Sequence, residues 1–249
     1  MESLRASGIF INFKSQMLAR LWYMKNYKLV IFDFDKTLYD GRFFAMHLII
    51  QNLPHILRVR AERNVRHSLA GKDFENAENL RREEVCRLAL LSDIEYDVAD
   101  KWYTSYIQSM PIVLRNHYKA RPRAWEVVES LLDAGVSVGV LSDYPATSDR
   151  MRSIGLTDER IYHWSAEEFG ALKPAPRPFL EAAKQVGVSP DEVLVVGDRA
   201  DTDGAGAKAA GMDSLLIKGK RATGLDGFEA LPWDDVADRL ISIAKGASK

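Results

Sequence analysis

The 249-residue chain is 47% hydrophobic and 28% charged, a composition that fits a globular protein with one large domain or with a core and an accessory domain. Its formal net charge of -1 provides no general attraction to nucleic acid or to an anionic membrane, so we expect no nucleic acid as a partner and only local binding of anions. Cys86 is the only cysteine, which excludes an intrachain disulfide and a thiolate metal cluster and favours a reducing, cytoplasmic location. No segment approaches the roughly 18 consecutive apolar residues of a transmembrane helix, so no integral membrane segment is predicted.

Residues 1–27 are predicted to form an N-terminal extension to the core. Up to Lys28 this segment has five basic residues and one acidic residue, Glu2, with apolar residues scattered between them. The simplest interpretation is an appendage that folds weakly or packs on the core. Two alternatives remain open: a basic amphipathic arm for a membrane or for import, and a chain that naturally starts at Met24.

The stretch KLVIFDFDKTLYDG, from Lys28 to Gly41, predicts the first buried strand. Its apolar run, residues 29–32, lacks polar alternation, as expected for a parallel strand that is covered on both faces. Asp33 and Asp35 follow at the predicted carboxyl end, which is the edge of an open α/β sheet where ligands bind. Taken alone, these two acids fit a solvated strand end or a helix cap equally well.

Residues 41–114 predict an all-helical insert after the first strand. A first helix, residues 42–53, ends at Pro54, because proline lacks the amide hydrogen that a helix interior needs. Two further patterns with apolar residues at helical spacing cover residues 74–91 and 97–114. No strand pattern interrupts them.

Strand and helix patterns alternate in residues 115–249, and this alternation predicts a doubly wound parallel sheet with right-handed crossovers. The predicted strands are residues 136–143, 192–198 and 213–218, with a further segment at 161–163. The predicted helices are residues 120–135, 147–154, 178–187, 201–211 and 233–245. Residues 218–232 show neither pattern and are expected to form a loop.

Three of the predicted strands end in polar residues that would meet at one edge of such a sheet: Asp33 with Asp35, Ser142, and Asp198. Lys173, in the proline-rich loop FGALKPAPRP, can supply a fixed positive charge. A cluster of these acids with Asp203 would repel itself without a cation. This pattern indicates a hard metal with oxygen ligands, and magnesium is the natural choice where phosphate is the other ligand.

Four motifs in a fixed order now carry a resemblance to a known family: DFDKT at residues 33–37, the strand that ends in Ser142, Lys173, and GDRADTD at residues 197–203. Together they resemble the four motifs of the haloacid dehalogenase (HAD) superfamily of phosphohydrolases, over about residues 28–217. The helical insert is similar to the α-helical cap of that superfamily. The resemblance implies a Rossmann-like HAD core of residues 28–40 and 115–249 with a small helical cap domain of residues 41–114.

The resemblance also implies roles for the motif residues. Asp33 would be the nucleophile that forms an aspartyl phosphate, and Asp35 would be the general acid and base, a role that needs a pKa nearer neutrality than usual. Thr37 would orient Asp35 or its loop. Ser142, with nearby backbone amides, would bind a phosphoryl oxygen, and Lys173 would neutralise charge on the nucleophile and the phosphate.

Magnesium would be held by Asp33, the backbone carbonyl of Asp35, and Asp198, with Asp203 in support, again by the resemblance. Two more residues are counted with the substrate-binding set: Asp143 and Arg42. Asp143 stands where an asparagine commonly follows the serine of the motif, and its carboxylate beside a phosphate would be unfavourable unless the side chain turns away. Arg42, at the start of the insert, is the cap residue expected to face the substrate.

These assignments predict a magnesium-dependent phosphohydrolase that acts on a small phosphorylated metabolite, as a monomer or a homodimer. Asp35 favours phosphoryl transfer over carbon–halogen hydrolysis, because true dehalogenases of the superfamily lack the second acid of the first motif. Three alternatives stay open: a phosphomutase, a pyrophosphatase, and a binding module that has kept the fold and lost turnover.

Overall fold

The computed structural model describes residues 25–219 and 227–247, so the predicted N-terminal extension lies almost entirely outside the described residues. One six-stranded sheet has the order β3-β2-β1-β4-β5-β6, and every neighbouring pair in it is parallel. The strands are β1 Leu29–Asp33, β2 Ser137–Ser142, β3 Tyr162–Ser165, β4 Val193–Gly197, β5 Asp213–Ile217 and β6 Glu229–Leu231. The predicted parallel sheet is therefore confirmed.

Nine α-helices accompany the sheet within the described residues. They are α1 Phe44–Gln51, α2 Ile56–Leu69, α3 Ala77–Ser92, α4 Tyr96–His117, α5 Ala124–Asp133, α6 Thr147–Ser153, α7 Arg177–Val186, α8 Ala205–Ala209 and α9 Trp233–Ala247. Among these described helices, none combines the length and the apolar character needed to cross a membrane.

The central strand β1 is buried on both faces of the sheet. Its side chains enter two different apolar clusters: Val30 and Phe32 pack with residues of α5 and α9, whereas Leu29 and Ile31 pack with residues of α7 and α8. Successive side chains of a strand point to opposite faces, so helices cover both sides of the sheet. This arrangement confirms the predicted doubly wound α/β fold and explains the unbroken apolar run at residues 29–32.

The insert between β1 and β2 begins with helices α1 to α4, which share an apolar cluster of their own around Leu80, Tyr103 and Met110. The helical character of the insert is as predicted. Its boundaries stay a prediction, and α4 continues past residue 114 to His117. Leu114 itself packs in the cluster of the α/β core, so α4 belongs in part to both units.

Helix α2 has no counterpart in the sequence prediction. Val59, Val65 and Leu69 lie on its buried side at helical spacing, but Glu62 and Arg66 are buried there as well. Charged residues on the buried side interrupt the apolar stripe by which an amphipathic helix is recognised. The pattern therefore predicted three helices where the insert begins with four.

A second difference lies in residues 218–232, which were expected to form a loop. Glu229–Leu231 form strand β6, which pairs in parallel with β5 at the edge of the sheet. The loop prediction is wrong at these residues because a short, half-buried edge strand carries almost no period-two pattern.

Candidate active site

The carboxyl ends of three strands bring motif residues to one edge of the sheet. Strand β1 lies between β2 and β4, and Asp33 is in register with Leu141, the residue before Ser142. Asp198 directly follows Gly197, the last residue of β4. Residues that are far apart in the sequence thus become neighbours in the fold, as the strand pattern predicted.

Lys173 joins two acids through a buried ammonium group. Its Nζ lies 2.6 Å from Oδ1 of Asp33 and 2.7 Å from Oδ1 of Asp203, and it also donates to the carbonyl oxygen of Leu141. The lysine side chain is only 3% exposed, so solvent screens these ion pairs little.

Asp33, Asp198 and Asp203 form a compact carboxylate cluster in which one oxygen of each lies within 4.8 Å of the others. Burial raises the pKa of Asp33, and Lys173 opposes that rise only in part. Burial and the charge of Asp33 raise the pKa of Asp198 and of Asp203 to about 7. Burial would lower the pKa of Lys173, but Asp203 and Asp33 raise it well above its usual value. Lys173 therefore stays charged, and its single charge does not balance three carboxylates.

A close backbone approach holds Asp203 in this cluster. The π-helical turn Ala200–Gly204 carries Asp203 back toward the end of β4, where the backbone N–H of Arg199 donates to Oδ2 of Asp203 at 3.2 Å. A Cβ atom at Gly197 would lie 2.4 Å from the same oxygen. Glycine at position 197 is therefore needed for Asp203 to reach the cluster.

Thr37 contacts Asp33 and not Asp35. Its buried Oγ1 donates to Oδ2 of Asp33 at 3.0 Å, while Lys173 holds the other oxygen of the same carboxylate. Of the expectation that Thr37 orients Asp35 or its loop, the contact with Asp35 is corrected, because the turn after β1 brings position 37 back onto Asp33 within that loop. The two donors together fix the plane of the Asp33 carboxylate.

The carboxylate of Asp35 is held by two other side chains. Oη of Tyr39 donates to Oδ1 at 2.5 Å, and Nη2 of Arg150 donates to Oδ2 at 2.5 Å. Burial would raise the pKa of Asp35, but the charge and the hydrogen bond of Arg150 bring it below its usual value. The expectation of a pKa nearer neutrality is wrong for this arrangement, because Arg150 is a buried cation that the motifs did not reveal.

Ser142 and Asp143 are both engaged by protein groups at the end of β2. Oγ of Ser142 is fully buried and accepts hydrogen bonds from Nη1 of Arg150 at 2.6 Å and from the backbone N–H of Tyr144 at 3.2 Å. Oδ1 of Asp143 accepts from the backbone N–H of Lys173 at 3.0 Å. The carboxylate of Asp143 is thereby tied to the loop that carries Lys173.

A cavity of about 250 Å³ lies between the helical insert and the carboxyl ends of the strands. On the core side it is lined by residues that include Asp33, Asp35, Asp198 and Lys173. The insert contributes Phe44, Ala45, Leu48, Val59, Arg63 and Tyr106. The insert therefore presents a largely apolar wall with one cation to the acids of the core.

Arg42 does not line this cavity. Its guanidinium lies 2.8 Å from the carboxylate of Asp40, and its side chain is 72% exposed. This local pair keeps Arg42 at the surface, so its position does not support the expected contact with substrate. Arg63 of α2 is the arginine of the insert that reaches the cavity, and the sequence analysis missed it together with α2.

Comparisons with known proteins place this geometry in a family. The model for haloacid dehalogenase-like hydrolases matches residues 27–211. The glyceraldehyde 3-phosphate phosphatase of Pyrococcus furiosus is 26% identical over 231 residues, which cover 88% of this chain and 90% of the relative.

Two solved structures show the same fold. The YfnB protein of Bacillus subtilis, bound to magnesium, matches with a TM-score of 0.61 at 14% identity over 87% of this chain and 99% of its own. A HAD family hydrolase from Deinococcus radiodurans, with bound phosphate and sodium, matches with a TM-score of 0.55 at 20% identity over 89% and 97% of the two chains. The match to the family model spans all four motifs, from the acids after β1 to the acids after β4, and it confirms the resemblance seen in the sequence. The chain belongs to the haloacid dehalogenase-like hydrolases.

Proposed function

We propose that this hydrolase is a magnesium-dependent phosphatase that cleaves a small phosphate monoester through an aspartyl phosphate on Asp33. The observation that carries the proposal is the Asp33 carboxylate itself. It lies beside the cavity, with one oxygen held by Lys173 and the other by Thr37. The Pyrococcus furiosus relative is named for a small phosphate ester, and the Deinococcus radiodurans structure holds phosphate, which supports a substrate of this class.

In the first step a carboxylate oxygen of Asp33 attacks phosphorus. The new bond between Asp33 and phosphorus forms as the bond from phosphorus to the ester oxygen breaks, and Asp35 gives a proton to the departing oxygen. Lys173 and Thr37 hold the Asp33 carboxylate in one orientation. The attack therefore costs little conformational entropy of this side chain.

In the second step water attacks the aspartyl phosphate. The bond between Asp33 and phosphorus breaks, Asp35 takes a proton from the water, and inorganic phosphate leaves. Asp35 is suited to both steps by its place, because it lines the cavity two residues after the nucleophile. Arg150 holds the pKa of Asp35 below its usual value, so the proposal requires that the negative charge of the bound phosphoryl group raise this pKa enough for Asp35 to carry the proton. The net reaction turns a phosphate ester and water into an alcohol and phosphate.

The acid cluster fits a hard divalent cation. Lys173 offers one positive charge to three close carboxylates, and burial together with the charge of Asp33 raises the pKa of Asp198 and of Asp203 to about 7. Oxygen ligands are those that Mg2+ prefers. Asp33, the backbone carbonyl of Asp35, Asp198 and Asp203 would hold the ion. Bound magnesium would neutralise negative charge on the phosphoryl group.

The test is phosphate release from a panel of phosphate monoesters that includes glyceraldehyde 3-phosphate, with and without Mg2+. Asp33→Asn removes the nucleophile and should abolish release. Asp40→Asn is the matched control, because Asp40 is exposed, lies in the same loop and pairs with Arg42 outside the cavity. Release that persists in Asp33→Asn at the wild-type rate would refute the aspartyl nucleophile.

The same panel separates the alternative reactions. A phosphomutase would convert a sugar phosphate to its isomer with little free phosphate, and a pyrophosphatase would act on pyrophosphate in preference to the esters. A folded, magnesium-binding protein without turnover on any of them would indicate a binding module.

From the single cysteine we further propose a reducing, cytoplasmic location, and we expect a monomer or a homodimer.

A further inference from the structure

Arg150 is the largest fully buried side chain among the described residues. It projects from α6, the short helix that follows β2, and its guanidinium carbon lies 4.5 Å from the centre of the Phe34 ring. Removing a guanidinium from water is unfavourable unless the protein supplies hydrogen-bond partners. The groups to which Arg150 donates hydrogen bonds therefore indicate its role.

Those partners are side chains of two different motifs. Nη2 donates to Oδ2 of Asp35 at 2.5 Å, and Nη1 donates to Oγ of Ser142 at 2.6 Å. The planar guanidinium presents both donors at once in a fixed geometry, which a lysine ammonium cannot reproduce. Arg150 thus ties the loop after β1 to the end of β2.

The second oxygen of Asp35 is held as well. Oη of the buried Tyr39 donates to Oδ1 at 2.5 Å, so each carboxylate oxygen has its own donor. Asp35 is nevertheless part of the cavity wall, and its side chain is 29% exposed. Its carboxylate is therefore fixed in orientation and still accessible from the cavity.

From these contacts we infer that Arg150 is a positioning residue for Asp35: it anchors the Asp35 carboxylate to Ser142 at the end of β2 and so aims it at the leaving oxygen of the substrate. The inference rests on the proposed function, because it concerns the proton transfer in which Asp35 takes part. Arg150 itself touches neither the cavity nor the nucleophile among the described contacts. Its effect on the reaction would pass through the side chains that it holds, Asp35 and Ser142, and an effect through Asp35 would change kcat and not KM.

If Arg150 acts through Asp35, the rate lost on replacing Arg150 should depend on the leaving group. A loss of stability alone would not depend on it. A poor leaving group, such as the alkoxide of an alkyl phosphate, needs a well-placed proton donor, whereas p-nitrophenolate leaves without one. Positioned acid catalysis contributes roughly 100-fold or more to such reactions. Loss of positioning should therefore slow alkyl esters far more than p-nitrophenyl phosphate.

The experiment compares kcat and KM for p-nitrophenyl phosphate and for the best alkyl ester of the panel. Arg150→Met should lower kcat for the alkyl ester about 100-fold, with a several-fold smaller loss on p-nitrophenyl phosphate and little change in KM. In the Asp35→Asn background the same replacement should have no further effect on the alkyl ester. Arg152→Met is the control, since Arg152 lies on the same helix, pairs with Asp149 and is 67% exposed.

Arg150→Lys keeps the positive charge and provides a second test in case Arg150→Met does not fold. One ammonium cannot hold Asp35 and Ser142 together, so we expect an intermediate loss with the same dependence on leaving group. Equal losses for both leaving groups, losses that add to those of Asp35→Asn, or wild-type rates in Arg150→Lys would overturn the inference while leaving the phosphatase in place. A wild-type protein without turnover would instead refute the proposed function, and the role of Arg150 with it.

Discussion

The ammonium group of Lys173 lies 2.6 Å from Oδ1 of Asp33, although the two residues are 140 positions apart in the chain. The same nitrogen lies 2.7 Å from Oδ1 of Asp203, so one buried cation holds two buried carboxylates. Removing it would leave both acids without their counter-charge. Loss of one partner from a buried ion pair is far more destabilising than loss of a surface pair.

Lys173→Met should therefore lower the free energy of unfolding by about 3 kcal/mol in the absence of divalent cations. Added Mg2+ should raise the melting temperature of the variant more than that of the wild type. The bound cation would reduce the repulsion between the acids that the lost lysine no longer offsets. Phosphate release should be lost, since Lys173 also orients the nucleophile. Thermal unfolding with and without Mg2+ measures the first two effects.

Lys184→Met is the control for that experiment, because its side chain is 75% exposed and forms an ion pair with Glu181 of its own helix. It should leave unfolding and its response to Mg2+ nearly as in the wild type. If Mg2+ raised the melting temperature of Lys173→Met and of the wild type equally, the charge of Lys173 would not be what offsets the repulsion within the acid cluster.

A methyl group at position 197 tests the close approach of Asp203. In Gly197→Ala the new Cβ would lie 2.4 Å from Oδ2 of Asp203, so the carboxylate must move away from Lys173. We expect the affinity for Mg2+ to fall about tenfold and the unfolding free energy to fall by about 1–3 kcal/mol. Calorimetric titration with Mg2+ and urea unfolding give the two values.

Gly246→Ala provides the contrast, because the residue is in helix α9 and, within the described part of the chain, no atom outside its own turn of helix lies within 4 Å of the added Cβ. Alanine there, one residue before the end of the helix, should change the unfolding free energy by less than the roughly 0.5–1 kcal/mol of a helix interior and leave Mg2+ affinity unchanged. Wild-type Mg2+ affinity in Gly197→Ala would show that Asp203 is not a ligand of the ion.

The features that could be predicted from the sequence are those that a local pattern encodes. The apolar runs before Asp33 and Asp198 predicted strands, and parallel strands place their carboxyl ends together, so the acids could be brought to one edge without coordinates. Arg150 had no such signal. Its helix, TSDRMRS, is polar enough to indicate a surface position, and the buried side chain pairs with Asp35, 115 residues earlier in the chain. One sequence contains no local trace of that pairing.

The burial of Arg66 could likewise not be predicted from a local pattern. This residue connects the helical insert to the core. Its Nη1 donates to Glu84 at 3.0 Å and to Glu167 at 2.5 Å, and its Nη2 donates to the carbonyl oxygen of Asp143 at 2.7 Å. The first partner lies in the insert, and the other two lie in the core. The guanidinium also stacks on the ring of Tyr144, 3.9 Å from its centre. Both Asp143 and Tyr144 line the cavity.

Arg66→Met should therefore lower the unfolding free energy by about 3 kcal/mol or more, because the side chains of Glu62, Glu84 and Glu167 would lose their buried cation. Urea unfolding measures this change. Arg60→Met on the same helix is the control, since Arg60 is exposed and has no ion pair among the described residues. A loss in Arg66→Met no larger than in Arg60→Met would show that the buried network adds nothing to stability.

Glu62 should make the stability of the protein depend on pH. It is buried beside Arg66, whose Nε lies 3.9 Å from Oε1 of Glu62, and close to the hydroxyl groups of Tyr144 and Tyr106. Burial, opposed in part by Arg66, raises the pKa of Glu62 to about 7. In the unfolded chain a glutamate has its ordinary pKa near 4.5. Between these two values the folded protein holds a proton that the unfolded chain has lost, so the unfolding free energy falls as the pH rises.

Glu62→Gln has no proton to lose and should not show that fall. Relative to the wild type, the variant should gain up to about 3 kcal/mol of unfolding free energy between pH 4.5 and pH 8, with most of the gain below pH 7. Urea unfolding at intervals across this range measures the difference, and the exposed Glu129→Gln should keep the pH dependence of the wild type. A constant difference between Glu62→Gln and the wild type would mean that Glu62 is ionised in the folded protein throughout this range, held by Arg66 in spite of its burial.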